Sequence, residues 1–237
     1  MSDIRLYNQD CMEAMKDMAD NQFDLAITDP PYSIGADKPS EKPAFCKQKN
    51  GNYLKVNSPI YKHKNWDSEI PDKEYFNELK RVSKNQIIFG VNYYNYDLSG
   101  GRIVWDKLNG ESDQFGCEIA YQSFDKRTDI VRYMWQGMFQ GVYCGFNLDK
   151  SLVQQGNKAK NEKRIHPTQK PIKLYGWILE NYAKEGEKIL DTHLGSGSIA
   201  IACHNLKFDL TGYEIDKEYY DSAVKRYEQH IKQLQLF

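Results

Sequence analysis

What this chain lacks bounds it first. No apolar run approaches the roughly 18 residues of a membrane-spanning helix, and the N-terminus carries no signal-peptide pattern. Cysteine is scarce, with Cys11, Cys46, Cys117, Cys144 and Cys203 forming an odd set that has no Cys-x-x-Cys pair. A disulfide framework and a zinc site of the usual spacing are thereby argued against. Five separate thiols in a reducing, cytoplasmic setting are the expectation. Internal repeats and low-complexity tracts are missing too. Net charge nearly vanishes, at −1, which taken alone argues against a polyanionic partner.

The distribution of charge says otherwise. Residues 36–65 carry seven lysines (38, 42, 47, 49, 55, 62 and 64) against Asp37 and Glu41, a net of +5. Residues 158–173 carry Lys158, Lys160, Lys163, Arg164, Lys170 and Lys173 against Glu162, again +5. Since screening confines charge effects to roughly 8 Å, local basic surface matters more to phosphate than the whole-chain sum. Ordinary solvated loops would have the same composition, so each block is equally well read that way. A hydrophobic share of 40% suffices for one buried core, and the mean hydropathy of −0.75 indicates a soluble chain.

Short apolar runs alternate with helical patterns, which predicts an α/β sheet. Strands are expected at Ile4–Tyr7, Phe23–Thr28, Gln86–Val91, Arg102–Trp105, Cys117–Phe124, Lys188–Leu190 and Asp209–Tyr213. Helices are expected at Cys11–Met18, Lys73–Val82, Pro171–Tyr182, Ile199–Asn205 and Lys217–Leu236. Two stretches lack periodicity: a basic insertion at 33–70, and an aromatic-rich, irregular region at 125–165. Loops of such length inside a domain are usually functional or disordered.

Four strands run into an acid: Asp10, Asp29, Asp191 and Glu214. Open α/β sheets bind ligands outside the carboxyl ends of their strands. One such acid is commonly a helix N-cap, but four together favour a site. Around Asp191, the run Lys188-Ile-Leu-Asp-Thr-His-Leu-Gly-Ser-Gly-Ser198 passes from strand through a glycine turn into a helix. Glycines permit positive φ and a close ligand, and Glu214, ending the next strand, suits ribose hydroxyls. NAD and S-adenosylmethionine share that ribose. Asp191 would repel a pyrophosphate but attract the ammonium of S-adenosylmethionine, and the third glycine of the dinucleotide fingerprint is missing.

Asp29-Pro30-Pro31-Tyr32 follows an apolar strand, where a plain turn is the less favoured reading. The residues suit methylation of an exocyclic amine, whose lone pair is delocalised into its ring. The Asp29 carboxylate and the Pro30 carbonyl can hold the two N–H groups, letting the nitrogen pyramidalise. Pro31 has no N–H to compete and stiffens the loop, while Tyr32 offers a stacking face. The base must leave the duplex, at a few kcal/mol, and stacking returns roughly 1–3 kcal/mol. Other candidate stacking aromatics are Tyr93, Tyr94, Tyr96, Trp135, Phe139 and Tyr143.

On Asp29–Tyr32, the glycine loop with Asp191, Glu214, and His166-Pro-Thr-Gln-Lys-Pro171, most of the chain resembles the bacterial and phage amino-methyltransferases that modify adenine N6 or cytosine N4 in DNA. The catalytic motif precedes the hexapeptide and the glycine loop, the order of the circularly permuted β class. The resemblance implies a Rossmann-like class I S-adenosylmethionine-dependent methyltransferase fold in one domain, 1–237. Its sheet would be mostly parallel and seven-stranded, with helices on both faces. It implies catalytic roles for Asp29, Pro30, Pro31 and Tyr32. It places the cofactor against Asp10, Cys11 and Asp29, against His166, Thr168 and Lys170 of the hexapeptide, and against Asp191, His193, Gly195, Ser196 and Gly197. Glu214 and Ile215 complete that set. Asp10 would meet the adenine amine of the cofactor. His193 stands where the family has another aromatic.

Further implications follow from the same resemblance. Ile103–Lys107 matches a core strand, and Asn92 lies near a cofactor-side loop. Residues 125–165 would form a short target-recognition region, with the 33–70 insertion as a second DNA contact or a homodimer supplying the remainder. Asp before Pro-Pro-Tyr favours adenine N6 over cytosine N4, and the substrate is expected to be duplex DNA, with single-stranded DNA and RNA left open. A cognate restriction system fits this class, and no metal is required. A cofactor-binding subunit that recruits a DNA-reading partner is a rival reading. A nicotinamide oxidoreductase rests only on Gly-x-Gly and Glu214.

Overall fold

A computed structural model describes residues 2–37, 44–47, 51–56, 64–108, 115–136, 139–141 and 161–234. In chain order the main sheet is built from β1 (Ile4–Tyr7), β2 (Phe23–Thr28), β5 (Ser83–Phe89), β6 (Gly101–Asp106), β7 (Cys117–Gln122), β8 (Thr128–Arg132), β11 (Lys188–Asp191) and β12 (Asp209–Tyr213). Its spatial order is β1-β12-β11-β2-β5-β7-β6-β8. Every neighbouring pair is parallel except those made by β7, which runs opposite to β5 and β6. Two hairpins stand apart, β3 (Ala44–Lys47) with β4 (Tyr53–Val56), and β9 (Met134–Gln136) with β10 (Phe139–Gly141).

Among the described residues five α-helices complete the fold: α1 (Cys11–Lys16), α2 (Lys73–Val82), α3 (Ile172–Tyr182), α4 (Ser198–Leu206) and α5 (Lys217–Leu234). Side chains alternate across each strand, so the buried strands feed two cores. Leu25, Ile27, Ile87, Phe89 and Ile189 pack under α3, α4 and α5. Ala26, Ile88 and Leu190 pack under α1 and α2, against Met15, Phe76 and Leu79. Helices therefore cover both faces, as expected, and none of the described helices is long and apolar enough to cross a membrane.

The sheet has eight strands rather than seven. The additional one, β8, lies within the stretch read as irregular, which also holds β9 and β10. Only Val131 of β8 is buried and Ile130 is 50% exposed, so its sequence shows no apolar alternation. Edge pairing to β6 and polar ties hold it instead: Tyr182 donates to Asp129 at 2.5 Å and Arg132 pairs with Asp106 at 3.4 Å. The rest of the 125–165 region, 137–138 and 142–160, lies outside the described residues, as do 38–43, 48–50 and 57–63 of the basic insertion. Tyr143 is among these, as are the side chains of Lys38, Lys42, Lys49 and Lys62.

The carboxyl ends of β1, β12, β11 and β2 lie side by side, which brings the four acids together. Gly195 and Gly197 carry φ of +52° and +68°, and a Cβ on Gly197 would stand 3.1 Å from the Ala223 Cβ of α5. Glycine is therefore required where α4 begins. Pro171 precedes helix α3 at the N-cap position and offers no side-chain cap. Instead, Glu162 accepts the Ile172 N–H at 3.0 Å and pairs with Arg226 of α5 at 2.8 Å.

Candidate active site

Two cavities open along the carboxyl edge of the sheet. The smaller, about 270 Å³, is lined by Asp29 and Pro31, by His166 and Thr168, and by His193, Gly195, Ser196, Glu214 and Ile215. The larger, about 530 Å³, is walled by Tyr32, Tyr93, Trp105, Phe115, Ile119 and Trp135, with Lys107, Glu118, Arg164 and Lys170 as its charged residues. Thr168, Gln169 and Lys170 line both, so the hexapeptide is the partition between them. Asp29 faces the smaller cavity and Tyr32 the larger. The Asp29–Tyr32 motif thus stands where the two spaces meet.

Most of the residues named from the sequence line one of these two cavities, and some line neither. Glu214 accepts the Gly195 N–H at 2.8 Å and the Asp216 N–H at 2.9 Å. A carboxylate has about four acceptor sites, so it retains capacity for hydroxyls. Asp191, 1% exposed, lies behind the glycine loop and accepts the His193 N–H at 3.0 Å. Burial pushes its carboxyl up to about 8. His193 lines the cavity edge-on to Tyr75 of α2, its Nδ1 within 3.0 Å of the Thr192 hydroxyl. Burial lowers this ring to about 4, and His166 to about 3, so both are neutral. A neutral His193 keeps the flat, uncharged ring that an aromatic would supply there.

Asp10, Cys11, Asp191, Gly197 and Pro30 are not among the residues lining either cavity. Asp10 caps α1 by accepting from Met12 and Glu13 at 2.7 and 3.2 Å. Burial pushes the Cys11 thiol up to about 12, so it is inert as a thiolate. Asn92 lines the larger cavity.

The Asp29–Tyr32 segment is tied down on every side. Tyr32 donates its hydroxyl to Asp29 Oδ1, and Lys170 pairs with Asp29 Oδ2. Lys170 is 2% exposed and also reaches Glu118 of β7 at 3.0 Å, while Lys107 reaches Glu118 at 2.6 Å. Burial opposes the charge on Lys170, but Asp29 and Glu118 outweigh it and hold the ammonium above its ordinary value. Burial pushes Asp29 up against the pull of Lys170. Burial also acts on Glu118, but Lys170 and Lys107 outweigh it and hold this carboxyl below its usual range.

Tyr94 donates to the Pro30 carbonyl at 3.0 Å, and Tyr93 stacks on the Tyr32 ring at 4.9 Å and 13°. A Cβ on Gly90 would come within 2.1 Å of that ring. Glycine there, with φ of +76°, is what admits Tyr32. Tyr96 packs on Phe76, away from the motif.

Two residues that the sequence reading overlooked complete this arrangement. Glu118 lies in a half-buried strand whose apolar residues drew attention, and an acid there reads as solvent-facing. Asp67 accepts four backbone N–H groups of the loop after Pro31, and no local motif marks it. The basic blocks are correspondingly weaker than their counts imply. Lys64 is paired with Asp216 at 2.7 Å and Glu218 at 2.9 Å, and Lys170 is buried, so neither is a free contact for phosphate.

A family model described as DNA methylase, of the N6 and N4 type, matches residues 102–225. The chain belongs to this DNA methylase family. Among its relatives are the type II methyltransferase M.HpaI of Haemophilus parainfluenzae, 26% identical, with 94% of this chain and 74% of the relative covered. Another is M.BglII of Bacillus subtilis, 25% identical, covering 93% and 68%. A solved structure titled as the M1.HpyAVI–SAM complex matches with a TM-score of 0.57 at 22% identity, covering 94% of this chain and 99% of that one. The cytosine-N4-specific PvuII DNA methyltransferase matches with a TM-score of 0.53 at 11% identity, covering 98% and 91%. This DNA methylase thus shares the mostly parallel α/β fold of such enzymes.

Proposed function

We propose that this DNA methylase transfers a methyl group from S-adenosylmethionine to the exocyclic N6 of adenine in DNA, with the smaller cavity taking the methyl donor and the larger a flipped base. The observation that carries this reading is the meeting of the two cavities at Asp29–Tyr32. Glu214 beside the glycine loop suits a ribose diol, the neutral His193 ring suits the neighbourhood of a sulfonium, and Asp191 suits an ammonium. The bound cofactor would supply an activated methyl group. The remaining chemistry belongs to the chain.

Asp29 and the Pro30 carbonyl accept the two N–H groups of the amine. Each keeps capacity for this beside its present partners, since a carbonyl has two lone pairs and a carboxylate about four sites. Two acceptors draw the nitrogen lone pair out of conjugation with the ring. Burial makes Asp29 more basic, so it is also suited to take the proton that the amine loses. Tyr32 meets the base from the wall of the larger cavity. Trp105 and Trp135 enclose the cavity and exclude water. No cysteine nucleophile enters.

Incubation of the protein with unmethylated DNA and methyl-labelled cofactor, then digestion to nucleosides, should yield label in 6-methyladenine. Label confined to 4-methylcytosine would reject the adenine assignment, which rests on Asp at position 29.

Cofactor binding should depend on pH through Asp191. Its raised value, about 8, means that below that pH the carboxyl must lose a proton before its charge can attract, from behind the loop, an ammonium in the cavity. Affinity should therefore tighten as pH rises from about 6 to about 8, by up to about tenfold per unit. In Asp191→Asn this slope should flatten. Calorimetry with S-adenosylhomocysteine measures it, and an unchanged slope in the variant would limit Asp191 to supporting the loop.

A further inference from the structure

The loop that follows Pro31 curls around one carboxylate. Asp67 Oδ1 accepts the N–H groups of Tyr32 and Ser33, each at 2.8 Å. Its Oδ2 accepts those of Ile34 at 3.0 Å and Ala36 at 2.7 Å. Ser33 and Gly35 adopt φ of +56° and +72°, which turns successive amides inward as an anion nest. Asp67 is 3% exposed. Its charge therefore has these amides in place of water, and the loop has that charge in place of a regular element. Ser33 adds a bond to the Ser68 carbonyl at 3.0 Å.

The residues just before Asp67 face the other cavity. Trp66 lines the smaller one, its ring 5.0 Å from that of His166. Its indole N–H is buried and has no partner among the described residues. Two positions earlier, Lys64 pairs with Asp216 and Glu218 at the start of α5, next to Glu214 and Ile215 of the same cavity. Four consecutive residues thus join the start of α5, the hexapeptide, the smaller cavity and the catalytic loop.

We propose that Lys64–Asp67 is a clasp in which Asp67 is a positioning residue for the base-holding loop and Trp66 contacts the methyl donor, so that filling the smaller cavity orders residues 32–36. The proposal rests on the reading that this cavity holds the donor. Because coupling is reciprocal, a donor that orders the loop also binds more tightly once a base is held there.

Hydrogen exchange at the amides of 32–36, with and without saturating S-adenosylhomocysteine, tests the clasp on the full chain. In the unaltered protein the ligand should slow exchange by about 5- to 150-fold, the range of ordinary allosteric coupling. Asp67→Asn should exchange rapidly with or without ligand. Trp66→Phe and Lys64→Met leave the nest itself intact and should bind the ligand at saturation with most of the slowing lost. Trp66→Phe should also weaken the ligand by about 2- to 12-fold, the worth of one net hydrogen bond. If the ligand binds but exchange at 32–36 does not change, or slows equally in both of these variants, the clasp is overturned while the methyl-donor reading stands. Failure of S-adenosylhomocysteine to bind the unaltered protein at all would overturn both.

Discussion

Asp29→Ala is expected to lower the methylation rate by roughly 10²-fold or more while leaving the affinity for S-adenosylhomocysteine nearly unchanged. The magnitude is that of losing one preorganised polar partner in an active site. Asp29 stands at the junction of the two cavities, between Tyr32 and Lys170, so in the proposed mechanism its removal deletes an amine acceptor and a buried proton acceptor together. The glycine loop, Glu214 and His193 lie on the other wall and should retain the ligand. Single-turnover rates beside calorimetric affinities separate the two effects. A rate within a few-fold of the unaltered enzyme would show that Asp29 is not catalytic.

Lys170→Met is expected to cost both stability and activity. Lys170 is the ammonium between two buried carboxylates, Asp29 and Glu118, and at 2% side-chain exposure water cannot replace it. Removing one partner of a buried ion pair costs about 3–5 kcal/mol. At about 2–4 °C per kcal/mol for a chain of this size, Tm should fall by about 6–20 °C at neutral pH.

The pH dependence of that loss has a definite sign. In the unaltered protein Glu118 lies below its ordinary value, so its contribution is present above the unfolded value near 4 and is lost as pH falls. Without Lys170 both carboxyls are forced upward, and the folded state must take up protons or hold two unpaired charges. The deficit of the variant should therefore be largest near neutrality and shrink as pH falls toward about 4. Thermal melts across that range would check it, and a deficit independent of pH would point to lost packing against Phe89 and Tyr32 instead. The same substitution should slow methylation, because Asp29 would then be protonated and a weaker acceptor.

Much of the fold is written in local pattern. Residues 23–28 and 209–213 are short apolar runs that pair on both sides, and Lys73–Val82 repeats its buried residues at helical spacing. Each forms within the expected bounds because the period alone tells which side chains leave water. Edge strand β8 escapes this logic. Its residues are half in water, and what holds them is pairing to β6 and the reach of Tyr182 and Asp106, partners distant in sequence. The length of Cys11–Lys16, shorter than the helix expected, is likewise set by where the chain must turn toward β2.

The site divides in the same way. Asp29–Tyr32, the glycine loop, Glu214 and the hexapeptide are contiguous motifs, and their residue types alone pointed to a methyl donor and an amine. The sequence by itself therefore determined which residue types form the two walls, because backbone turns and donor groups are local properties. Only the tertiary structure decided that the hexapeptide is the partition between two cavities. It alone showed that Lys170 faces Asp29 and Glu118 rather than phosphate, and that Asp67, 35 residues after Tyr32, shapes the loop that follows Pro31. The physical reason is burial. A lysine or an aspartate reads as solvated surface until the fold removes water from it, and then its partners, drawn from remote parts of the chain, decide what its charge does.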